Sequence, residues 1–208
     1  MIDGGMGWII VDALDTLMIM NLTSRVQHAR NWIRNSLHYD QEHDVSTFET
    51  TIRMMGGLLS AHYLSTTFPT LAPISDDSGE DLYLEKATDL ANRLSGAFDS
   101  ATGIPYSSVN LNKSAGLPSH ADGGSSSTSE ATSVQLEFKY LAKLTGEAEY
   151  WKVVEKPMKI VDDQKVTDGL LPIFINPETG TFVGHNIRVG SRGDSYYGNF
   201  FPILLFDG

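Results

Sequence analysis

The sequence predicts an all-α protein assembled from antiparallel helix pairs. Apolar residues recur at helical spacing in six separate stretches of the 208-residue chain. Polar segments rich in Gly, Pro and Ser join those stretches, and a single β-rich segment with a turn signal falls near the far end. Helix pairs stacked side by side form an arc whose apolar faces must be matched. Such an arc is either small and irregular or part of a larger α-toroid.

Ile10 to Met20 reads as the first helix, with Leu14, Leu17 and Met18 on one side and Asp12 and Asp15 on another. Thr23 or Ser24 caps a second helix reaching Leu37, with Val26, Ala29, Ile33 and Leu37 in register. Ser46-Thr-Phe-Glu49 has the spacing of a capping box. It opens a third helix, on which Phe48, Ile52, Met55 and Leu59 form an apolar stripe. Thr66 to Gly79 reads as a loop, and Glu80 to Phe98 as a fourth helix with Tyr83, Ala87, Leu90, Leu94 and Ala97 inward.

Asp99 to Ser127 has no period, and a loop of that length is usually functional or disordered. Ser129 to Thr145 forms a fifth helix with Val134, Phe138 and Leu141 inward. Glu147 to Val161 forms a sixth, interrupted by Pro157, with Gly146 making the pair an αα-hairpin. Leu171 to Val183 then reads as a β-hairpin around Asn176-Pro-Glu-Thr-Gly180. Asp194 sits where a further helix begins.

Composition narrows the function classes. The chain is 41% hydrophobic and 20% charged, with a formal net charge of −11 and a pI near 4.8. A nucleic-acid partner is disfavoured, because phosphate binding needs clustered Lys and Arg. Without cysteine, disulfides, thiolate metal sites and thiol nucleophiles are excluded. No apolar run reaches the roughly 18 residues of a spanning helix, and the N-terminus lacks the pattern of a signal peptide. Two N-x-S/T tripeptides, at Asn21 and Asn112, matter only in a secretory setting.

The sequence contains no H-E-x-x-H, Walker A, G-x-S-x-G or G-x-G-x-x-G motif. The six histidines show no metal-ligand spacing and read as surface or loop residues. Arg192-Gly193-Asp194 matches an adhesion tripeptide, too short a match to carry weight. What stands out is a set of carboxylates amid apolar and aromatic residues. Glu49 and Arg53 lie at i and i+4, on a helix where Gly56 and Gly57 allow close approach. Asp12 lies three residues before Asp15, Glu130 and Glu137 are two turns apart, and Asp194 precedes Tyr196 and Tyr197. Acids, a cation and aromatic rings are what a sugar site requires. Taken singly, each carboxylate also fits a solvated helix face, the better reading by periodicity for Asp15 and Glu130.

Six segments in order resemble one family. They are Val11-Asp-Ala-Leu-Asp-Thr-Leu17, Val45-Ser-Thr-Phe-Glu-Thr-Thr-Ile-Arg53, Gly56-Gly-Leu-Leu-Ser-Ala61, Glu130-Ala-Thr-Ser-Val-Gln-Leu-Glu-Phe138, Leu171-Pro-Ile-Phe-Ile175 and Gly193-Asp-Ser-Tyr-Tyr197. Together they resemble the class I α-1,2-mannosidases, glycoside hydrolase family 47, in their endoplasmic reticulum form. The resemblance implies an (α/α)7 barrel, of which this chain would be about half, with hairpins and loops closing one end. It implies hydrolysis of terminal α-1,2-linked mannose from high-mannose N-glycans, with inversion. A bound calcium ion is implied too, held by a segment outside this chain, so no residue here is assigned to metal.

By the same resemblance, Glu49 corresponds to the general acid and Asp194 to a second catalytic carboxylate. Arg53 corresponds to a cation contacting sugar, and Asp12, Glu130 and Glu137 to positions lining the mannose pocket. Full-length relatives would be membrane-anchored in the endoplasmic reticulum or Golgi, and the chain would be monomeric. The resemblance ends at Tyr197. Residues 1–197 then read as a partial catalytic domain and 198–208 as a non-homologous tail, from a translated intron or a frame error. The expected anchor and first helix would also be missing. A chain lacking the later helix pairs and a third carboxylate, the base, would be weakly active or inactive. The rival reading is a non-catalytic mannose-glycan-binding or quality-control protein of the same fold. A helical scaffold for protein partners ranks last, because it has no account of the clustered carboxylates.

Overall fold

The computed structural model describes residues 5–70 and 81–198. The chain opens with α1 (Trp8–Asp12) and α2 (Leu14–Ile19), where the sequence suggested one helix. The break falls at Ala13, and Val11, Leu14 and Met18 remain fully buried across it. Next comes α3 (Thr23–Asn35), which buries Val26, Ala29 and Ile33 as its spacing required, with Leu37 buried just beyond it.

The third predicted helix is a composite. It runs as α4 (Thr47–Glu49), a π-helical turn over Thr50–Met55, and α5 (Gly56–Thr67). Ser46 caps it, its Oγ accepting the Glu49 N–H at 3.2 Å. Only half of the expected capping box forms, because the Glu49 carboxylate turns to Arg53. Within the first turns the Thr51 hydroxyl donates to the Thr47 carbonyl. A hydroxyl competing for a backbone acceptor is one way to loosen the α ladder, and π-turns recur at functional sites.

The fourth helix is α6 (Leu82–Leu94), extended by a 3₁₀ turn at Ser95–Phe98. Tyr83, Ala87, Leu90, Leu94 and Ala97 are all buried, as its stripe demanded. Most of the predicted loop before it, residues 71–79, lies outside the described residues.

The region from Asp99 to Ser127 departs most from the expectation of a structureless loop. It contains β2 (Ser108–Asn110), β3 (Ala115–Leu117) and β4 (Ser126–Ser127). β1 (Asp44–Ser46) pairs with β2, and β2 with β3, all antiparallel. These strands are two or three residues long, too short for alternation to show in the sequence. β4 pairs with β5 (Phe174–Ile175), which belongs to the predicted hairpin. That hairpin's turn is present, with the Asn176 N–H donating to the Thr181 carbonyl and Val183 returning to Phe174.

The fifth helix also splits, into α7 (Thr128–Thr132) and α8 (Gln135–Thr145). The sixth, α9 (Ala148–Asp162), is not interrupted at Pro157, which sits buried inside it. α8 and α9 pack along their length, joined at Gly146 as an αα-hairpin.

The main core gathers apolar residues from α1 through α9, including Ile33, Met54, Leu58, Leu90 and Phe138. A smaller core of Ile104, Ala131, Val161, Leu171 and Ile175 lies beneath the C-terminal segments. His62 corrects the expectation that every histidine lies at the surface. It is buried on α5, its Nδ1 2.7 Å from Asp81 Oδ1. Residues 199–208, most of the segment expected to be a tail, lie outside the described residues.

Candidate active site

Two helix starts built alike carry the central acids. Ser46 and Ser127 are both N-caps in extended conformation, and each takes the backbone N–H three residues on, from Glu49 and Glu130 respectively. The Ser127 bond is long, at 3.5 Å. In both cases the cap serine satisfies the helix end, which frees the glutamate carboxylate for other contacts.

Each start is pinned to neighbouring backbone. The Thr47 N–H donates to the Ser107 carbonyl and its hydroxyl to the Tyr106 carbonyl, which ties α4 to the strand β2 segment. The Thr128 N–H and hydroxyl donate to the Ile173 and Pro172 carbonyls. The Ser129 N–H donates to the Arg192 carbonyl at 3.0 Å. α4 and α7 pack together, so the two acids approach from adjacent helix ends.

Glu130 registers this arrangement electrostatically. Its carboxyl titrates above the ordinary range, chiefly because it is desolvated. The Arg192 charge opposes the shift, while the negative charges of Glu49, Asp122 and Asp194 add to it. Glu49 and Asp194, far apart in sequence, thus both lie near enough to Glu130 for their charges to act on its carboxyl.

Arg53 organises the other flank. Its Nε donates to Glu49 Oε2 at 2.6 Å, and a second guanidinium nitrogen lies 3.6 Å from Asp12 Oδ2. The hydrogen bond to Glu49 is the main reason the Arg53 guanidinium holds its proton more tightly than usual. Both bridges are nearly half exposed, so a polar ligand can reach them. Asp15 stays outside, accepting from the backbone and hydroxyl of Thr16.

Glu137, on α8, lies over Gly56. A Cβ added at Gly56 would sit 3.6 Å from the Glu137 carboxylate. Its Oε2 is buried and lacks a hydrogen-bond partner among the described residues. Burial pushes its pKa up to about 7.

Asp194 opens a helical turn at 194–198. The loop before it is tight: Gly193 and Asp194 both donate to the Gly190 carbonyl, and any Cβ at Gly193 would lie 2.4 Å from the Arg188 carbonyl oxygen. The turn is anchored by Tyr197, whose hydroxyl accepts the Leu171 N–H, and by Tyr196, which packs on the smaller core.

Among the described residues no group of three or more His, Asp or Glu side chains is placed to hold a metal ion. The described residues do not fit a calcium site.

A family model for glycosyl hydrolase family 47 matches residues 1–205. The chain belongs to glycosyl hydrolase family 47. It is 55% identical over 192 residues to a mannosyl-oligosaccharide 1,2-alpha-mannosidase of Candida albicans, covering 92% of this chain and 32% of that one. It is 48% identical to the endoplasmic reticulum mannosyl-oligosaccharide 1,2-alpha-mannosidase of Saccharomyces cerevisiae, covering 92% of this chain and 36% of the relative. The human protein of the latter name is 40% identical, with 93% of this chain and 26% of the relative covered. The solved structure of alpha-1,2-mannosidase from Trichoderma reesei superposes with a TM-score of 0.86 at 28% identity, over 98% of this chain and 42% of that chain. The paired helices are thus part of an α/α barrel, the fold class expected from the sequence. This family 47 chain spans about a third of the length of the curated relatives it matches.

Arg192 is the site residue that sequence reasoning set aside. It adopts φ +74°, and its carbonyl holds the start of α7. Its guanidinium bonds Asp122 at 3.0 Å and lies 4.8 Å from the Phe174 ring centre. The signal was the strained loop that Gly190 and Gly193 permit, which an adhesion tripeptide reading hides. The second cap, Ser127-Thr-Ser-Glu130, was equally legible beside Ser46-Thr-Phe-Glu49 and passed unremarked.

Proposed function

We propose that this chain carries the acid side of an inverting glycosidase site for terminal α-1,2-linked mannose on high-mannose N-glycans. The observation that carries the proposal is the gathering of Glu49 and Asp194 around the desolvated Glu130 carboxyl, with Arg53 joining Glu49 to Asp12. The names of the relatives supply the substrate class: mannosyl-oligosaccharides with 1,2-α linkages.

In an inverting hydrolysis one carboxylic acid protonates the leaving oxygen as the C1–O bond breaks. A carboxylate on the opposite face takes a proton from the attacking water, at an acid–base separation of about 6.5–9.5 Å. Glu49 is suited to the first task, at a helix start and hydrogen-bonded by Arg53. Asp194 is a carboxylate whose charge reaches Glu130, suited to a charged role around the ring. Asp12, Glu130 and Glu137 are suited to accept sugar hydroxyls. The base is assigned to none of these residues, so the chain alone releases mannose weakly or not at all.

The relatives named for the endoplasmic reticulum support a secretory location. Among the described residues no helix is long and apolar enough to cross a membrane.

The test is mannose release from an α-1,2-linked manno-oligosaccharide, beside calorimetric binding of the same sugar. Binding that weakens in Glu49→Gln, with turnover far below a full-length relative, is the expected result. Absence of any saccharide binding would refute the proposal, and turnover matching the relative would refute the missing base. Binding indifferent to Glu49→Gln would favour a mannose-binding protein without catalysis.

A further inference from the structure

The carboxylate cluster leaves the two N-x-S/T tripeptides unexplained, and the structure separates them. Asn21 adopts φ +53° in the turn after α2, beside Ile19 and Met20, which are 64% and 62% exposed. Apolar surface of that kind suits contact with more protein, and a branched sugar there would block it. Asn112 stands at the tip of the β2–β3 hairpin, between Asn110 and Ala115. Its surroundings are polar. Glu42 Oε1 accepts the Asn112 Nδ2–H at 2.7 Å, and Glu42 Oε2 lies 2.9 Å from Lys113 Nζ.

We propose that Asn112 is an N-glycosylation site, its side-chain amide accepting an oligosaccharide from a polyprenyl-diphosphate donor in the secretory pathway. The inference rests on the secretory location that the names of the relatives support, and not on the roles given to Glu49 or Asp194. In the transfer a bond forms between Asn112 Nδ2 and C1 of the sugar. The C1–O bond to the diphosphate breaks, and the lipid diphosphate leaves with the electron pair. The amide gives up one of its two protons.

The hairpin tip suits that modification. The middle residue is Lys113, not the proline that bars transfer. Asn112 is exposed, so a bulky hydrophilic chain leaves the tip toward solvent. An amide nitrogen has two N–H donors. One serves Glu42, and replacing the other with sugar keeps that bond. The tip does not depend on Asn112 for its shape. Asn110 sets it, with Oδ1 accepting the Lys113 N–H at 3.1 Å and Nδ2 donating to Asp44 Oδ1 at 2.9 Å. The Ser114 hydroxyl, by contrast, donates to the Arg93 carbonyl at 2.8 Å, where a Cβ at Gly96 would meet the Ser114 backbone. The hydroxyl of the tripeptide is thus committed once the hairpin has docked on the end of α6, so transfer precedes that docking.

The experiment routes the full chain into a eukaryotic secretory pathway behind a cleavable signal peptide, whose loss reports entry. Asn21→Gln leaves Asn112 in the last N-x-S/T tripeptide. That variant should run as a larger species on a denaturing gel and return to the bare chain on treatment with peptide N-glycosidase. Peptide mass spectrometry should then find Asn112 converted to an aspartate by that treatment. Adding either Asn112→Gln or Ser114→Ala should abolish the shift. Because transfer precedes folding, a variant that fails to fold is still scored. A signal-cleaved chain with no sugar at Asn112 would overturn the inference, and so would a shift that survives Asn112→Gln. Saccharide binding by the chain made in bacteria, without glycans, reads the proposed function separately. Binding alongside an unmodified Asn112 leaves that function standing and removes the site. A glycan on Asn112 without saccharide binding does the reverse.

Discussion

Gly57 lies so close to Val11 that a Cβ built on it would sit 2.7 Å from the Val11 carbonyl oxygen. Its neighbour Gly56 has room, with its nearest contact the Glu137 side chain at 3.6 Å. The adjacent glycines thus do different work. Gly57 lets α1, which carries Asp12, press against the helix that carries Glu49 and Arg53. Gly56 leaves space for the Glu137 carboxylate.

The two positions should therefore respond oppositely to alanine. Gly57→Ala should destabilise the fold by about 1–3 kcal/mol, because backbone must move and overpacking of that kind outweighs the helix-propensity gain. Gly56→Ala should be neutral or stabilising by about 0.5–1 kcal/mol, since it meets only ordinary contact distances. Urea denaturation of both variants checks the contrast, and equal effects would contradict the close approach.

Arg53→Leu separates binding from stability. Both of its ion pairs are nearly half exposed, and such pairs contribute little to folding, about 0–1 kcal/mol. The substitution should shift stability by no more than about 0.5 kcal/mol. It should weaken manno-oligosaccharide binding about tenfold or more, because Glu49 and Asp12 lose the cation that orients them. Thermal melting paired with calorimetry reads both, and a large melting shift with intact binding would assign Arg53 to the fold instead.

The sequence and the structure agree where packing is periodic. The stripes on α3, α6 and α8 bury the very residues their spacing selects, from Ile33 to Leu94 and Phe138. Disagreement begins where local hydrogen bonding overrides periodicity. The breaks at Ala13 and at Ser133–Val134 keep the apolar phase, so a period cannot reveal them. The π-turn after Glu49 falls in a Thr-rich stretch where a hydroxyl shares a backbone acceptor, and apolar periodicity does not register it. The short strands take their register from partners far along the chain, as Asp44 does opposite Asn110. Glu49 and Arg53 were legible as a pair, but Asp12 was legible only beside Asp15, and its bridge to Arg53 is tertiary. The approach of Glu49 and Asp194 to Glu130 depends on the β4–β5 pairing and the Arg192 carbonyl, which only tertiary structure supplies.

Exposed apolar residues on the first two helices predict self-association. Ile9 is 84% exposed, Ile19 64% and Met20 62%. A triple change to Ile9→Ser, Ile19→Gln and Met20→Gln removes apolar surface without touching the buried Val11, Leu14 and Met18. It should lower the light scattering of concentrated samples while leaving the circular dichroism spectrum unchanged. Unaltered scattering would place the sticky surface elsewhere.

Glu137 predicts the direction in which pH acts on stability. Its pKa is raised by burial from 4.5 to about 7, so the folded form retains a proton that the unfolded chain loses above about 4.5. Between those two values the folded state binds more protons, and stability falls as pH rises. Above about 7 both states are ionised and this contribution no longer changes. The full span is on the order of 3 kcal/mol as an upper bound, from about 1.4 kcal/mol per pKa unit. Glu137→Gln keeps the shape and removes the titration. Its stability between pH 4.5 and 7 should vary less than that of the parent by up to that amount. The two should diverge most above pH 7, where the parent holds a buried charge over Gly56. Parallel pH–stability curves for parent and variant would mean that the carboxylate reaches solvent after all.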